Sequence, residues 1–361
     1  MSDADKLKGV RSRIDAIDDE ILRLLSERGE LAKEVARIKR EAGETGDFYR
    51  PEREHAILRR VQENNPGPLS DETVARFFRE IMSACLALQL PLKVGYLGPE
   101  GTFTQAAALK QFGHDVQLQP LSSIDAIFRE VESGGLHYGV VPVENSTEGV
   151  VNHTLDCFLT SPLQIVGEVE LRIQQHLMSG ETELNAVKRV YSHPQGLAQC
   201  RAWLDLNLPH AERITVSSTG EAARLAASDA GSAAIASEAA AELYALPCLA
   251  ESIEDVSGNT TRFLVIGRQS PSATGDDKTS LVVSSPNRSG LLFRLLEPLA
   301  SAGIDMTRIE SRPARQQGIW EYVFFIDVLG HAEDPRIREA LEQMRQRASL
   351  FRILGSYPRA I

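Results

Sequence analysis

An apolar heptad at the start of the chain limits what it can fold into more than any other feature. Between residues 5 and 41, apolar side chains recur in alternating steps of three and four residues, which is the pattern of one long helix with an apolar stripe. Such a helix is about 55 Å long, whereas a domain of about 90 residues is about 25 Å across. The helix therefore has to bury its stripe against another chain, and the sequence predicts at least a homodimer. The stripe consists of Leu7, Val10, Ile14, Ile17, Ile21, Leu24, Leu31, Val35 and Ile38.

Two cationic residues lie at or beside the apolar stripe of this helix. Arg28 occupies the heptad position after Leu24, and Lys39 follows eleven residues later on the same face. In one interpretation both side chains extend along the surface to water. In the other they form a cationic pocket for a dianionic ligand, because a buried cation without a countercharge is strongly unfavourable.

Two further helices complete an N-terminal module, predicted to be all-helical over residues 1–92. Pro51 begins the second helix, and the turn sequence at 64–68 ends it. Ser70 can cap a third helix that carries Cys85, and Gln89 lies one turn beyond Cys85.

Over its whole length this module resembles the all-helical class of chorismate mutases. The resemblance rests on the ordered set Arg11, Arg28, Lys39, Arg53-Glu54 and Gln89. It implies an intertwined dimer in which Arg11 reaches into the partner's site. Arg50 stands where the best-known member of the family has Asp and Cys85 where it has Ser, and the loop before Arg50 is two residues longer. The implied substrate-binding residues are Arg11, Arg28, Lys39, Arg50, Arg53, Glu54, Cys85 and Gln89.

The chemistry implied by this resemblance fits the residue types. Rearrangement of chorismate to prephenate requires a compact substrate and a donor at the ether oxygen, but no nucleophile, proton transfer or metal. Arg11 and Arg28 suit carboxylates, Lys39 and Gln89 are the expected catalytic donors, and Glu54 can accept from the substrate hydroxyl.

Residues 93–268 alternate between strand and helix patterns, which predicts a mixed α/β domain. The turn Gly95-x-x-Gly98-x-x-Gly101 is not a dinucleotide fingerprint. It is either a carboxylate site at a helix N-terminus or a tight turn. The polar clusters at 144–147, 192–195 and 261–263 also fit a cap, a turn and a strand.

Together these clusters resemble prephenate dehydratase, through GPEGTFT at 98–104, PVENSTEG at 142–149, YSHPQ at 191–195 and NTTRF at 259–263. The resemblance implies two α/β lobes around a cleft, as in type-II periplasmic binding proteins, with residues 93–170 and 250–268 in one lobe and 171–249 in the other. It implies that Thr261 is catalytic, as a hydrogen-bond donor to the departing hydroxyl, and that Arg262 and the Gly-rich turn hold carboxylates. The implied substrate-binding residues are Gly101, Thr102, Asn145, Ser146, Ser192, His193, Gln195, Thr261, Arg262 and Phe263.

After a polar linker at 269–278, residues 279–361 show the order β-α-β-β-α-β of a ferredoxin-like fold. This segment resembles an ACT regulatory domain. The resemblance implies feedback inhibition by L-phenylalanine bound between paired ACT domains. The resemblance includes two effector-binding motifs, at 290–293 and 310–313. The motif at 290–293 has larger residues than the family's usual Gly-Ala-Leu-Val at its second and fourth positions. The implied effector-binding residues are Gly290, Leu291, Leu292, Phe293, Glu310, Ser311, Arg312 and Pro313.

Composition and charge disfavour several classes of partner and of structural site. The net charge of −11 disfavours nucleic-acid and membrane-surface partners, and we expect no secretory signal and no membrane span. Cys85, Cys157, Cys200 and Cys248 form no CxxC pair, so we expect free thiols in the cytoplasm and no structural zinc. No metal or cofactor is expected.

The resulting hypothesis is a two-activity enzyme, an isomerase joined to a carbon–oxygen lyase, that acts in L-phenylalanine biosynthesis. One alternative is a dehydratase that prefers arogenate, although prephenate is the product of the fused mutase. The other is a two-lobed ligand sensor without catalysis, for which the cationic helical module has no purpose.

Overall fold

The computed structural model describes residues 3–43, 49–286, 289–313 and 322–361. The chain forms two compact units. The first comprises the described parts of residues 1–50, 58–92 and 112–117, and the second comprises residues 51–57, 93–111 and the described parts of 118–361.

Long helices dominate the N-terminal part of the chain. Helix α1 covers Asp3–Glu41, α2 covers Pro51–Glu63 and α3 covers Asp71–Ala87. Ser70 caps α3, because its hydroxyl accepts a hydrogen bond from the Thr73 amide at 3.2 Å. The all-helical module predicted from the heptad and the turn residues is therefore observed.

The apolar stripe of α1 is uncovered in the single chain. Its nine residues are 44–59% exposed, from Val35 to Ile17. Ala32 and Ala36 are buried instead, and α1 contacts α3. The need for another chain, inferred from the length of the helix, stays a prediction that this exposure supports.

Two sheets form the predicted two-lobed α/β arrangement. The order of the first sheet is β2-β1-β3-β11-β5, with β4 beside β3, and the order of the second is β10-β6-β9-β7-β8. Their strands are β1 Lys93–Leu97, β2 Gln117–Leu121, β3 Tyr138–Asn145, β4 Gly149–Val150, β5 Gln164–Arg172, β6 His176–Ser179, β7 Arg189–Ser192, β8 Glu212–Thr215, β9 Ser232–Ala236, β10 Cys248–Ala250 and β11 Thr260–Gly267. The helices are α4 Phe103–Phe112, α5 Ile124–Ser133, α6 Asn152–Thr160, α7 Pro194–Gln199, α8 Arg201–Asn207, α9 Thr219–Ala226 and α10 Glu238–Tyr244, with a 3-10 turn at Leu184–Ala186.

The C-terminal segment has the predicted ferredoxin-like order, and its sheet runs β13-β14-β12-β15. Strand β12 begins at Asp277, two residues inside the segment predicted to be a linker, and both Asp277 and Lys278 are buried. The elements are β12 Asp277–Ser285, α11 Leu291–Ser301, β13 Met306–Pro313, β14 Tyr322–Leu329, α12 Pro335–Arg347 and β15 Leu350–Pro358.

The third sheet has two different faces. Leu281 and Ile326 belong to a core cluster that also contains residues of α11 and α12. Val282 and Phe325 point the other way and share a core with Leu264 of β11 and other residues of the first sheet. The first and third sheets are therefore joined by one continuous core. Within the described residues, no helix combines the length and apolar character needed to cross a bilayer.

Candidate functional site

A cleft of about 270 Å³ is lined by residues of both α/β lobes. Six residues predicted from the dehydratase motifs line it, namely Thr102, Asn145, His193, Gln195, Thr261 and Phe263. The structure therefore brings together residues that are far apart in the sequence, such as Thr102 and Phe263, which are 161 positions apart.

Asn145 and Thr261 are direct neighbours on β3 and β11. Asn145 Nδ2 donates a 2.8 Å hydrogen bond to Thr261 Oγ1, and both side chains are buried. The amide is oriented by the backbone amides of Thr147 and Glu148, which both donate to Asn145 Oδ1 at 3.0 Å. Because backbone N–H groups can only donate, Oδ1 must be the acceptor and Nδ2 the donor.

The Gly-rich turn is shaped by its own hydrogen bonds. Gly101 has φ +77, which favours glycine, and its amide donates to Gln105 Oε1 at 2.6 Å. Thr102 Oγ1 lies 3.1 Å from the Leu97 carbonyl oxygen and 3.0 Å from that of Pro99. Thr102 lines the cleft, whereas Gly101 sets the turn behind it.

The remaining polar motif residues play different parts. His193 caps α7, since its Nδ1 accepts from the Gln195 amide at 3.3 Å, and it also lines the cleft. Ser192 is buried and donates to the Ile235 carbonyl at 2.9 Å. Ser146 Oγ bonds Asn259 Oδ1 at 3.2 Å and so ties two of the motifs together. Neither serine lines the cleft.

Arg262 is placed differently from the sequence-based expectation. Thr261 and Phe263 face the cleft, so alternation along β11 turns Arg262 to the opposite side. Its Nε lies 2.8 Å from Glu168 Oε2 and its Nη1 2.6 Å from Asp327 Oδ2. Its Nη2 donates to Tyr357 Oη at 3.0 Å. In this structure the Arg262 guanidinium therefore pairs with carboxylates of the protein itself.

The electrostatics of this network favour its charged form. Burial acts to lower the pKa of Arg262, but Tyr357, Asp327 and Glu168 around it outweigh burial, and the pKa lies above its usual value. Burial likewise acts to raise the pKa of Asp327, yet the charge of Arg262 and the Ser280 hydroxyl hold that pKa below its usual value.

Several cleft residues carry no motif that points to them. Gln175 is 3% exposed, and its Nε2 donates to Gln199 Oε1 at 3.1 Å. Within the described residues its Oε1 is buried and has no hydrogen-bond partner. Phe103 and Thr104 lie within the motif at 98–104 but are not among the predicted binding residues, and Gln199 lies one helical turn after Gln195. The lining residues that no motif marks are Leu97, Val151, Ile173, Gln175, Gly196, Ser217, Ser218 and Thr219.

The residues predicted for the mutase site are distributed over the helices. In the first unit, Arg28 donates through Nη1 to the Ile81 carbonyl at 3.3 Å, which joins α1 to α3. Lys39 and Gln89 are half-buried and Cys85 is buried. Arg11 is exposed on α1, about 26 Å from Arg28 along the helix axis at 1.5 Å per residue. Arg53 and Glu54 lie in the first turn of α2, directly after its N-cap Arg50.

The two motifs predicted for effector binding lie at element ends. Gly290 precedes α11 with φ +74, and Leu291, Leu292 and Phe293 form its first turn, with Phe293 70% exposed. Residues 310–313, which are Glu310, Ser311, Arg312 and Pro313, end β13. Arg312 forms an ion pair with Asp156 of α6 at 2.9 Å.

One group outside the cleft offers mixed ligand atoms. The ligand atoms of Asp125, His153 and Cys157 lie within 4.8 Å of one another. Asp125 is hydrogen-bonded to both His153 and the Cys157 thiol, and burial raises the pKa of that thiol to about 12. These mutual hydrogen bonds account for the geometry without a metal ion.

Comparisons with known proteins cover the chain in three consecutive segments. The family model "Chorismate mutase type II" matches residues 10–90, "Prephenate dehydratase" matches 94–271 and "ACT domain" matches 279–346. Bifunctional chorismate mutase/prephenate dehydratases from Stutzerimonas stutzeri and Pseudomonas aeruginosa are 56% and 55% identical, each over 100% of both chains. A crystal structure of prephenate dehydratase from Arthrobacter aurescens in complex with L-Phe is similar with a TM-score of 0.69 and 37% identity, over 74% of this chain and 90% of that chain.

Proposed function

Because the chain belongs to the family of bifunctional chorismate mutase/prephenate dehydratases, we propose that it converts chorismate to prephenate and prephenate to phenylpyruvate in L-phenylalanine biosynthesis. The observation that carries the second activity is the buried Asn145–Thr261 hydrogen bond at the wall of the cleft. The first activity is supported by the cations that α1 and α2 carry.

For the mutase reaction, Arg11 and Arg28 hold the two carboxylates of chorismate in its compact conformer. Lys39 and Gln89 donate to the ether oxygen, where negative charge develops as the bond breaks. Arg50, Arg53, Glu54 and Cys85 complete the proposed site. Arg11 acts on the site of a second copy, because it lies about five turns from Arg28 on the same helix.

For the dehydratase reaction, Thr261 assists departure of the ring hydroxyl while carbon dioxide leaves and the ring becomes aromatic. Asn145 already donates to Thr261 Oγ1, so the hydroxyl hydrogen of Thr261 is directed to another acceptor. The departing oxygen of prephenate is that acceptor. His193 and Gln195, together with Thr102 and Phe263, shape the rest of the substrate pocket.

Regulation and assembly form the rest of the proposal. L-Phenylalanine binds the ACT domain at 290–293 and 310–313 and favours a less active state, for which it must have the higher affinity. The exposed stripe of α1 pairs with that of a second copy, so the enzyme is at least a homodimer. The four cysteines are free thiols, in keeping with an enzyme of the cytoplasm.

The most direct experiment supplies purified protein with chorismate alone and follows phenylpyruvate, with and without L-phenylalanine. Phenylpyruvate should form without added prephenate, and phenylalanine should reduce its formation. Arogenate, supplied in parallel, should be a poorer substrate than prephenate. Failure to make phenylpyruvate from either chorismate or prephenate would refute the proposed catalytic function. An isothermal titration without a phenylalanine signal would remove the effector.

A further inference from the structure

Strand β11 separates the cleft from the third sheet, β13-β14-β12-β15, which is called the ACT sheet below. Thr261 and Phe263 line the cleft on one face. Leu264 and Ile266 on the other face share a core with Phe325 of β14. The wall that carries Thr261 is thus supported from behind by the sheet that belongs to the regulatory segment.

Two charged cross-strand pairs face each other behind this wall. On the first sheet Arg262 is the register neighbour of Glu144, and on the ACT sheet Asp327 is the register neighbour of Arg308. Between the sheets, Arg262 Nη1 lies 2.6 Å from Asp327 Oδ2 and Arg308 Nε lies 3.1 Å from Glu144 Oε2. Each base meets the acid of the opposite pair, so the two pairs are complementary in both charge and position.

Burial shields the Arg262–Asp327 contact from water, because these side chains are 11% and 5% exposed. In the second contact Arg308 is 10% exposed and Glu144 is 39% exposed. Buried charges are poorly screened, and removing Asp327 takes away one of the two carboxylates described at the Arg262 guanidinium, the other being Glu168. Ser280 Oγ donates to Asp327 Oδ1 at 2.6 Å, which fixes the carboxylate further.

The charged pair on the first sheet is the immediate neighbour of the proposed dehydratase pair. Glu144 precedes Asn145 on β3, and Arg262 follows Thr261 on β11. A displacement of either charged residue therefore moves the strand segment that makes the Asn145–Thr261 hydrogen bond. Catalysis is sensitive to such movements, because a misplacement of about 1 Å caused by a distant mutation can lower the rate about 100-fold.

We propose that Asp327 and Arg308 of the ACT sheet are positioning residues for the dehydratase reaction. They hold β11 and β3 from behind, so that Thr261 and Asn145 keep their arrangement in the cleft. The inference rests on the proposed dehydratase function. Strand β13 carries both Arg308 and the effector motif at 310–313, so the same contact connects the effector segment to the catalytic strands.

The test compares Asp327→Asn with the parent in the full-length chain. The mutase activity of each preparation serves as an internal measure of folded enzyme. The dehydratase kcat on prephenate should fall about 10- to 100-fold, with KM changed less than about threefold. Glu297→Gln, which breaks the exposed ACT ion pair with Arg347, is the matched control and should leave both activities unchanged. An unchanged ratio of dehydratase kcat to mutase kcat in Asp327→Asn would show that the pair serves stability alone and would overturn the proposal.

A cycle of neutral variants covers the case in which Asp327→Asn does not fold. Glu144→Gln and Arg308→Gln, each alone, should lower the dehydratase kcat, and the double variant should lose less than the sum of the two single losses on a logarithmic scale, as expected for coupled neighbours. Additive losses would overturn the proposal. The parent protein is first shown to turn over prephenate. If it does not, the proposed dehydratase function is refuted, whereas the positioning role is tested only by the variants.

Discussion

Asn145 and Thr261 form a hydrogen bond whose direction is fixed by the fold. The Asn145 carbonyl oxygen accepts from two backbone amides, so its Nδ2 is the group that donates to Thr261 Oγ1 at 2.8 Å. Thr261 therefore acts as an acceptor towards the protein and can act as a donor towards the cleft. This polarity is what departure of a hydroxyl group requires.

Replacing Thr261 by alanine removes the proposed donor. Phenylpyruvate formation should fall at least about 100-fold, the lower end of what a positioned proton donor contributes. Prephenate should still accumulate from chorismate, as measured by liquid chromatography. Thr261→Ser keeps the hydroxyl and should retain appreciable activity. Equal loss in the serine and alanine variants would contradict the role of the hydroxyl.

The isosteric change Asn145→Asp tests the direction of the hydrogen bond. An ionised carboxylate only accepts, so it would take the Thr261 hydrogen for itself and remove it from the substrate. We expect the dehydratase kcat to fall about 100-fold or more, measured on prephenate, with normal mutase activity. Asn207→Asp, at an asparagine outside the cleft, is the control for the added charge. Full kcat in Asn145→Asp would exclude the proposed polarity.

Gln175 holds a buried acceptor that the protein itself leaves without a partner among the described residues. Such a group lowers stability by about 1–3 kcal/mol. The ring hydroxyl of prephenate is a suitable donor, since the other polar groups of that substrate are carboxylates and a ketone. Gln175→Met should therefore raise the KM for prephenate about tenfold, equivalent to about 1.4 kcal/mol. It should leave the free energy of unfolding unchanged or raise it by about 1 kcal/mol.

The neighbouring Gln174 provides a matched control for this substitution. Its Nε2 donates to Ser252 Oγ at 3.1 Å, and it does not line the cleft. Gln174→Met should not change the KM for prephenate. The interpretation of Gln175 would be wrong if its variant kept the parental KM while thermal or urea unfolding showed a loss of stability.

The sequence was most informative where the signal was local. The heptad of α1 and the cap at Ser70 each depend on residues within a few turns, so their elements could be predicted directly. Short, polar edge strands left no such signal. Strand β2, Gln117–Leu121, and strand β8, Glu212–Thr215, contain no fully buried residue, so neither has the continuous apolar run that marks a strand of the core.

The candidate site shows the same limit. The motifs point to Thr261 and Asn145, but they do not predict the contact between these residues, which are 116 positions apart. Arg262 sits inside a motif, yet its partners Glu168 and Asp327 are 94 and 65 positions away. Strand alternation, and not residue type, decides that its guanidinium faces the ACT sheet. Gln175 has no motif at all, and only burial reveals it.

For the mutase site, Lys39→Ala and Gln89→Ala should each abolish the conversion of chorismate to prephenate, because each removes a proposed donor to the ether oxygen. Dehydratase turnover of added prephenate should survive in both variants. Lys33→Ala, at an exposed lysine of α1 paired with Glu30, controls for loss of charge on the helix. Full mutase turnover in the Lys39 variant would remove this residue from the proposed site.

The exposed stripe of α1 and the remote position of Arg11 lead to a prediction about shared sites. If Arg11 serves the site of a second copy, co-expressing Arg11→Ala with Lys39→Ala should restore activity that neither variant has alone. Random pairing makes half of the dimers mixed. In each mixed dimer, one of the two sites combines an intact Lys39 with an intact Arg11 from the other copy. About a quarter of the parental mutase activity should therefore return. Lys39→Ala co-expressed with Gln89→Ala is the matched control: both residues belong to the same side of the proposed site, so every mixed site stays defective. Recovery in both pairs, or in neither, would show that Arg11 does not act across the dimer.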